Sequence, residues 1–276
     1  YTNPDFPFIN THWLFEVLIY GVNQTIGLHW MLVLKLVVII SAVWLTIKII
    51  PNQKSALLLP VGFIFLHVLR ERGELRPEIF SFLFTAATYF ILETSLRAKR
   101  SNLIFLLPLI QLIWINTHIY FFVGLIIQAI YLVHEKTKLL VIIFILSVLV
   151  SLINPNGLTG LLYPLNVTAN YGYSIVENQT MFLLESINFK DPNFLFAKMA
   201  IGIILLSLFF VILNVVKNLK IKSTDPSLIA RNDMVKNTLT AALGGVLAFL
   251  NVRSFPYLVF ISLPATLMNF PDFIFR

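Results

Sequence analysis

Apolar positions in this chain run in long blocks, and the polar positions collect between them. Nine blocks read as helices sheltered in an apolar medium: Leu28–Ile50, Ala56–Arg70, Pro77–Leu96, Leu103–Thr117, Ile119–His134, Leu139–Ile153, Phe194–Val216, Thr238–Leu250 and Phe255–Met268. A hydrocarbon core ~30 Å thick takes roughly 17 to 25 residues of helix, fewer where protein shields it, so several blocks are short for a crossing. Two further segments mix apolar and polar positions. Thr11–Tyr20 starts on a plausible N-cap, Thr11, and sets Trp13, Phe15, Leu18 and Ile19 beside His12 and Glu16, the pattern of a helix lying on a membrane surface. Leu158–Val167 is a second such segment, after the turn signal Asn154-Pro-Asn-Gly157. The fold expected is all-α, a polytopic transmembrane helical bundle of about nine spans. Residues 1–27 are read as an extracytoplasmic loop with an amphipathic interfacial helix. Residues 28–276 form the transmembrane domain, with 154–193 as its outer loop. No period of 20 to 50 residues repeats, so no solenoid is indicated.

Composition sharpens the solvent. With 58% hydrophobic and 12% charged residues and a mean hydropathy of +0.86, the chain is too apolar for a water-soluble domain of its size. It has no cysteine, which excludes disulfides, thiolate metal sites and cysteine nucleophiles. It opens at Tyr1 with neither Met nor a signal sequence, and is read as an N-terminally truncated fragment.

Charge gives orientation. If the nine blocks alternate across a bilayer, one side collects Lys48, Lys54, Arg97, Lys99, Arg100, Lys136, Lys138, Lys217, Lys220, Lys222, Arg231 and Lys236. The other holds Arg70, Arg72, Arg76, Lys190 and Arg253. The first is the cytoplasmic side by the positive-inside rule, and its loops read as plain anchors. The net charge of +7 is thereby a topology signal, and nucleic acid is not an expected partner.

The unusual polar residues fall on the outer side. Arg70-Glu-Arg-Gly-Glu-Leu-Arg-Pro-Glu78 places arginines where the charge rule disfavours them. Either Arg70, Arg72 and Arg76 hold an anionic group, phosphate being the natural guess, or Glu71, Glu74 and Glu78 neutralise them in a charged hairpin. Pro77 fixes where the next helix begins and favours Arg76. Asn116 and His118 sit in a near-absent loop, to contact a ligand or to cap helix ends. No second histidine lies three or four residues from His118, so no metal is expected there. Outer loop 154–193 is long enough for a functional lid; its Tyr171, Tyr173, Glu177, Asn178, Gln179 and Glu185 suit sugar hydroxyls and stacking. Arg253 either snorkels or joins the arginine cluster. Lys35 and Glu93 lie within spans but near enough to their ends to snorkel, and the spans otherwise stay apolar. A Gly-rich phosphate loop, His-Glu-x-x-His and Gly-x-Ser-x-Gly are all missing.

Five stretches carry a resemblance: Trp13-Leu-Phe-Glu16, Arg76-Pro-Glu-Ile-Phe-Ser-Phe82, Leu112-Ile-Trp-Ile-Asn116-Thr-His118 with Gly124, Asn154-Pro-Asn-Gly157, and Arg253-Ser-Phe-Pro256. Together they resemble a group of bacterial integral membrane proteins related to the GT-C glycosyltransferases. The resemblance implies a GT-C fold in the bacterial inner or cytoplasmic membrane with an extracytoplasmic active face. It implies an inverting transfer of sugar from a polyprenyl-phosphate donor to an extracytoplasmic acceptor. Arg76, Arg72 and Arg253 would hold the donor phosphate; Trp13, Asn116, His118 and Glu177 would line the sugar or acceptor site. Glu16 and Asp5 are the surviving acids of the first outer loop and the candidate bases, unless the base precedes Tyr1. No cofactor is expected; a divalent metal is left open. The other readings are a transporter or flippase of a lipid-linked or anionic solute, which would need polar residues through the midplane, and a non-catalytic membrane subunit.

Overall fold

The computed structural model describes residues 9–70, 72–97, 102–166, 175–218 and 227–270, which are helical with no strand among them. Asp5, Glu71, Tyr171 and Tyr173 lie outside the described residues. The helices are α1 (Trp13–Thr25), α2 (His29–Ile49), α3 (Ser55–His67), α4 (Glu78–Arg97), α5 (Leu106–Thr117), α6 (Phe122–Glu135), α7 (Lys138–Val150), α8 (Gly157–Asn166), α9 (Met181–Ser186), α10 (Pro192–Asn218), α11 (Ser227–Leu250) and α12 (Leu263–Asn269).

All nine apolar blocks are largely helical. Among the described residues three helices are long and apolar enough to cross a membrane: α2, α4 and Pro192–Leu213 of α10. By contrast α3, α5, α6 and α7 have 12 to 14 residues, and at 1.5 Å per residue such helices reach only ~20 Å. The last block enters α12 through a π-helical turn, Leu258–Ser262.

The ends of these helices have local causes. Thr137 caps α7 by accepting from the Leu140 amide at 3.3 Å, and Lys136, in the left-handed region at φ 52°, turns the chain between α6 and α7. At α1 the expected cap does not form. The N-cap position is His12, with no side-chain cap hydrogen bond, and the Thr11 hydroxyl lies 3.2 Å from His12 Nδ1 instead. No residue of α1 is fully buried, as suits a surface helix. The second expected surface segment is also helical, as α8.

At the centre stands α4, with α2, α5, α6 and the π turn packed on it. Its most apolar window is 56% buried, against 17% for α2 and 28% for α10, so α4 is the inside helix and the other two present apolar side chains outward. Glycines permit close approach at several points, Gly124 and Gly244 among them. A Cβ on Gly124 of α6 would stand 2.7 Å from the Trp114 ring. One on Gly244 of α11 would stand 2.7 Å from the Tyr257 carbonyl oxygen.

Two expectations about charge fail at the far end of α4. Glu93 does not snorkel: it is 4% exposed, pairs with Lys236 at 2.8 Å and Arg97 at 3.0 Å, and accepts from the Tyr131 hydroxyl. Lys236 is no loose anchor, being 5% exposed with its ammonium 4.8 Å from the Tyr131 ring centre. Burial between α4, α6 and α11 makes such pairing obligatory, because an unpaired charge in this core is expensive.

Candidate functional site

The α3–α4 turn, the start of α4, the α5–α6 junction, the α11–π junction and the segment before α9 meet at one end of the bundle. Charges there alternate. Arg253 Nε lies 3.2 Å from Glu78, whose other oxygen is 3.9 Å from Arg72. Arg72 reaches Glu177 at 3.1 Å, Glu177 reaches Arg76 at 3.3 Å, and Arg76 reaches Glu74 at 2.7 Å. Three arginines thus face three glutamates. The neutralising acids are only partly the local ones: Glu177 comes from the outer loop, a hundred residues away in the chain. The backbone fixes it there, Val252 N donating to Gln179 O at 3.0 Å. Burial tends to raise the Glu177 carboxyl, but Arg72 and Arg76 outweigh it and hold it below the usual carboxylate range. The same glutamate raises the Arg76 guanidinium against a burial effect of opposite sign.

Beside the charge chain lies a histidine pair. His118 is 1% exposed and sits in extended backbone between α5 and the short turn Ile119–Phe121. Its ring stacks on Tyr120 at 5.3 Å and meets His12 at 5.2 Å. Tyr120 stacks in turn on Tyr257 at 5.2 Å, and its hydroxyl is 3.0 Å from Ser254 Oγ, which donates to Asn251 Oδ1 at 2.8 Å.

Trp114 Nε1 can only donate, and it gives its proton to Ser81 Oγ at 2.7 Å. The same hydroxyl lies 2.7 Å from His118 Nδ1, and its remaining lone pair and proton let it meet either tautomer of the ring. The other ring nitrogen, Nε2, is buried with no hydrogen-bond partner. Burial, followed by the nearby His12 and Arg253, lowers the His118 pKa well below its ordinary value; burial and Arg253 lower that of His12, with Glu16 opposing. Both rings are held neutral, and the buried, unpartnered Nε2 of His118 leaves hydrogen-bonding capacity unfilled near Arg253.

The expected site residues separate into two groups. Arg72, Arg76, Arg253 and Glu177 share one ion-paired chain, and His118 lies near Arg253. Trp13 and Asn116 bind each other, Trp13 Nε1 donating to Asn116 Oδ1 at 2.8 Å. Both Asn116 amide hydrogens go to backbone oxygens, of Leu112 at 2.8 Å and Ile153 at 2.9 Å. This pair ties α1 to α5 and to the turn that follows α7, and leaves no free donor. Glu16 is exposed and accepts from Asn10 at 2.8 Å; it acts on His12 through its charge. Ser81, Tyr120, Ser254 and the site role of His12 were missed from sequence. Ser81 alone left a signal, standing one turn after Glu78 on the same helix face.

At the opposite end, His134, Glu135 and Asp233 bring ligand atoms within 4.8 Å of one another. His134 Nδ1 already lies 3.0 Å from Glu135, and the Lys236 ammonium is 3.5 Å from Asp233, so each acid of that cluster has a partner within the protein. Comparison with protein-family models, curated proteins and solved structures finds no match to this chain.

Proposed function

We propose that the chain is a polytopic membrane protein of about nine spans and GT-C-like fold, which transfers a sugar from a polyprenyl-phosphate donor to an extracytoplasmic acceptor. The observation that carries this reading is the meeting of Arg72, Arg76 and Arg253 with the unpartnered His118 Nε2 at one end of an apolar bundle. A phosphate leaving group needs cations and neutral donors fixed in advance where its charge develops, and guanidinium with imidazole N–H supplies both. In this reading Arg72 and Arg76 exchange Glu177 for the donor phosphate, Arg253 keeps Glu78, and His118 takes the tautomer with hydrogen on Nε2 and gives it to a phosphate or sugar oxygen. Glu16, or Glu177 once released, assists the acceptor hydroxyl.

The test is transfer from a panel of radiolabelled polyprenyl-phosphate sugars by the purified protein in liposomes. Arg76→Gln and Arg253→Gln each lower transfer at least tenfold, and Glu177→Gln tightens binding of polyprenyl phosphate by freeing two guanidinium groups. Transfer unchanged in both arginine variants overturns the reading.

A further inference from the structure

One face of α4 is polar along nearly its whole length. Glu78, Ser81, Thr85, Tyr89 and Glu93 recur every three or four residues and so project the same way. None is more than 4% exposed, on a helix long and apolar enough to cross a membrane. The expectation that the spans stay apolar inside is overturned here.

Both ends of this seam are hydrogen-bonded and its middle is not. At one end Ser81 meets His118 and Glu78 meets Arg253. At the other, Glu93 takes the Tyr131 hydroxyl and the Lys236 ammonium. Between them Thr85 Oγ1 and both amide atoms of Gln128, one turn before Tyr131 on α6, are buried without a partner, while the Tyr89 hydroxyl faces that of Tyr131. The Tyr89 and Tyr131 rings approach to 6.2 Å at this level. Orphaned polar groups also occur elsewhere in the core, at Ser147 and Thr266 for example, but here they stand on two packed helices between two hydrogen-bonded ends, where water can satisfy them, and polar residues inside membrane helices mark ion and proton paths.

We infer that the α4 seam holds a file of water molecules and conducts protons between the His12–His118 pair and Glu93. Ser81 and Glu93 are separated by ~18 Å of helix, a span that the Thr85 and Tyr89 hydroxyls divide into short water-bridged steps. Each oxygen passes its proton forward as it receives one from behind. A proton taken up at the imidazole end passes down the file to the Glu93 carboxylate, which releases it at the far end and returns to its pairs with Lys236 and Arg97, so charge balances over the cycle and nothing is oxidised or reduced. Gln128 does not exchange protons; its amide orients the adjacent waters by donating and accepting. The inference stands apart from the sugar-transfer reading, since it requires neither donor nor acceptor.

The experiment places the whole chain in liposomes loaded with a pH-sensitive dye, with potassium and valinomycin clamping the potential, and follows decay of an imposed pH step without any sugar donor. Decay is expected several-fold faster than in protein-free vesicles. Thr85→Val with Gln128→Leu, which removes the water ligands and no charge, returns it to the protein-free rate, while Tyr89→Phe is intermediate. Should the double variant fail to fold, the near-isosteric Thr85→Val decides by the same readout and by melting temperature. A dry seam predicts that losing an orphaned hydroxyl stabilises the protein; a wet one predicts slower decay with no gain in stability. Wild-type decay at the protein-free rate, or Thr85→Val matching wild type while melting higher, overturns the inference.

Discussion

His118 is unusual because its two nitrogens have opposite fates: Nδ1 is held by Ser81 and Nε2 is buried with nothing to bind. Protonating it would bury a cation away from water and, secondarily, place it next to His12 and near Arg253, which is why its pKa is lowered. The consequence for stability has a definite sign. The unfolded chain takes up protons near the ordinary histidine value of 6.5, while the folded chain resists, so stability is full above 6.5 and declines as pH falls below it. The melting temperature in detergent should drop between pH 6.5 and about 5, and His118→Gln should remove much of that drop; a flat profile in the wild type contradicts the buried neutral pair. A second window, from Glu177, opens only below the ordinary carboxylate value of 4.5. Steric effects at single residues are equally direct. Gly244→Ala drives a Cβ against the Tyr257 carbonyl, which is backbone and cannot swing aside, so a loss of about 1–3 kcal/mol is expected, read as a lower melting temperature. Gly124→Ala should lose less, because the Trp114 ring and the Gln111 side chain can shift. From the sequence, His118 was visible only as a polar residue in a short turn. Burial and partner could not be read, because Ser81 and His12 reach it from other elements.

Among the elements, α4 carries the most information and was the least legible. Its hydropathy reads as a plain membrane span, and the helix is long and apolar enough to be one. Which face turns inward depends on α2, α5, α6 and the π turn packing around it, and no local pattern specifies that packing. The hydroxyl residues are too weakly polar to lower the window average, so Ser81, Thr85 and Tyr89 passed as tolerated exceptions. Glu93 illustrates the same failure: one turn from the helix end it was free to snorkel by length, but α6 and α11 close over it. Breaking its pair should therefore be severe. Lys236→Met leaves Glu93 to Arg97 and Tyr131 alone, with an expected loss of about 3 kcal/mol. Adding Glu93→Gln removes the uncompensated charge and should restore more than half of that loss. A double-mutant cycle by thermal unfolding checks this: losses that simply add show that the two side chains are not coupled. The arginine hairpin was half legible. Glu74 and Glu78 neutralise it as the local reading expects, but Glu177 arrives from the outer loop, and only the folded chain shows that this loop reaches back to Arg72 and Arg76.

For the whole molecule the open physical question is how many of the nine helical blocks traverse the bilayer. Length admits α2, α4 and α10 at once, while α3, α5, α6 and α7 are too short to cross unaided. Charge argues for all nine, since alternating them separates the basic residues strongly to one side. The two arguments conflict most sharply at α7, a 13-residue helix with Lys136 and Lys138 before it and the Asn154-Pro-Asn-Gly157 turn after it. If α7 crosses, Lys138 and Ser186 lie on opposite faces of the membrane, because α8 and α9 are surface helices in this arrangement. If it does not, they share a face. The chain has no cysteine, so Lys138→Cys and Ser186→Cys each introduce one thiol at an exposed position without removing any. Labelling of intact cells with a membrane-impermeant maleimide should modify Ser186→Cys and spare Lys138→Cys until the membrane is opened. Equal labelling of both from one side removes α7 from the spans, and with it the alternation from which the sidedness of the arginine cluster was derived.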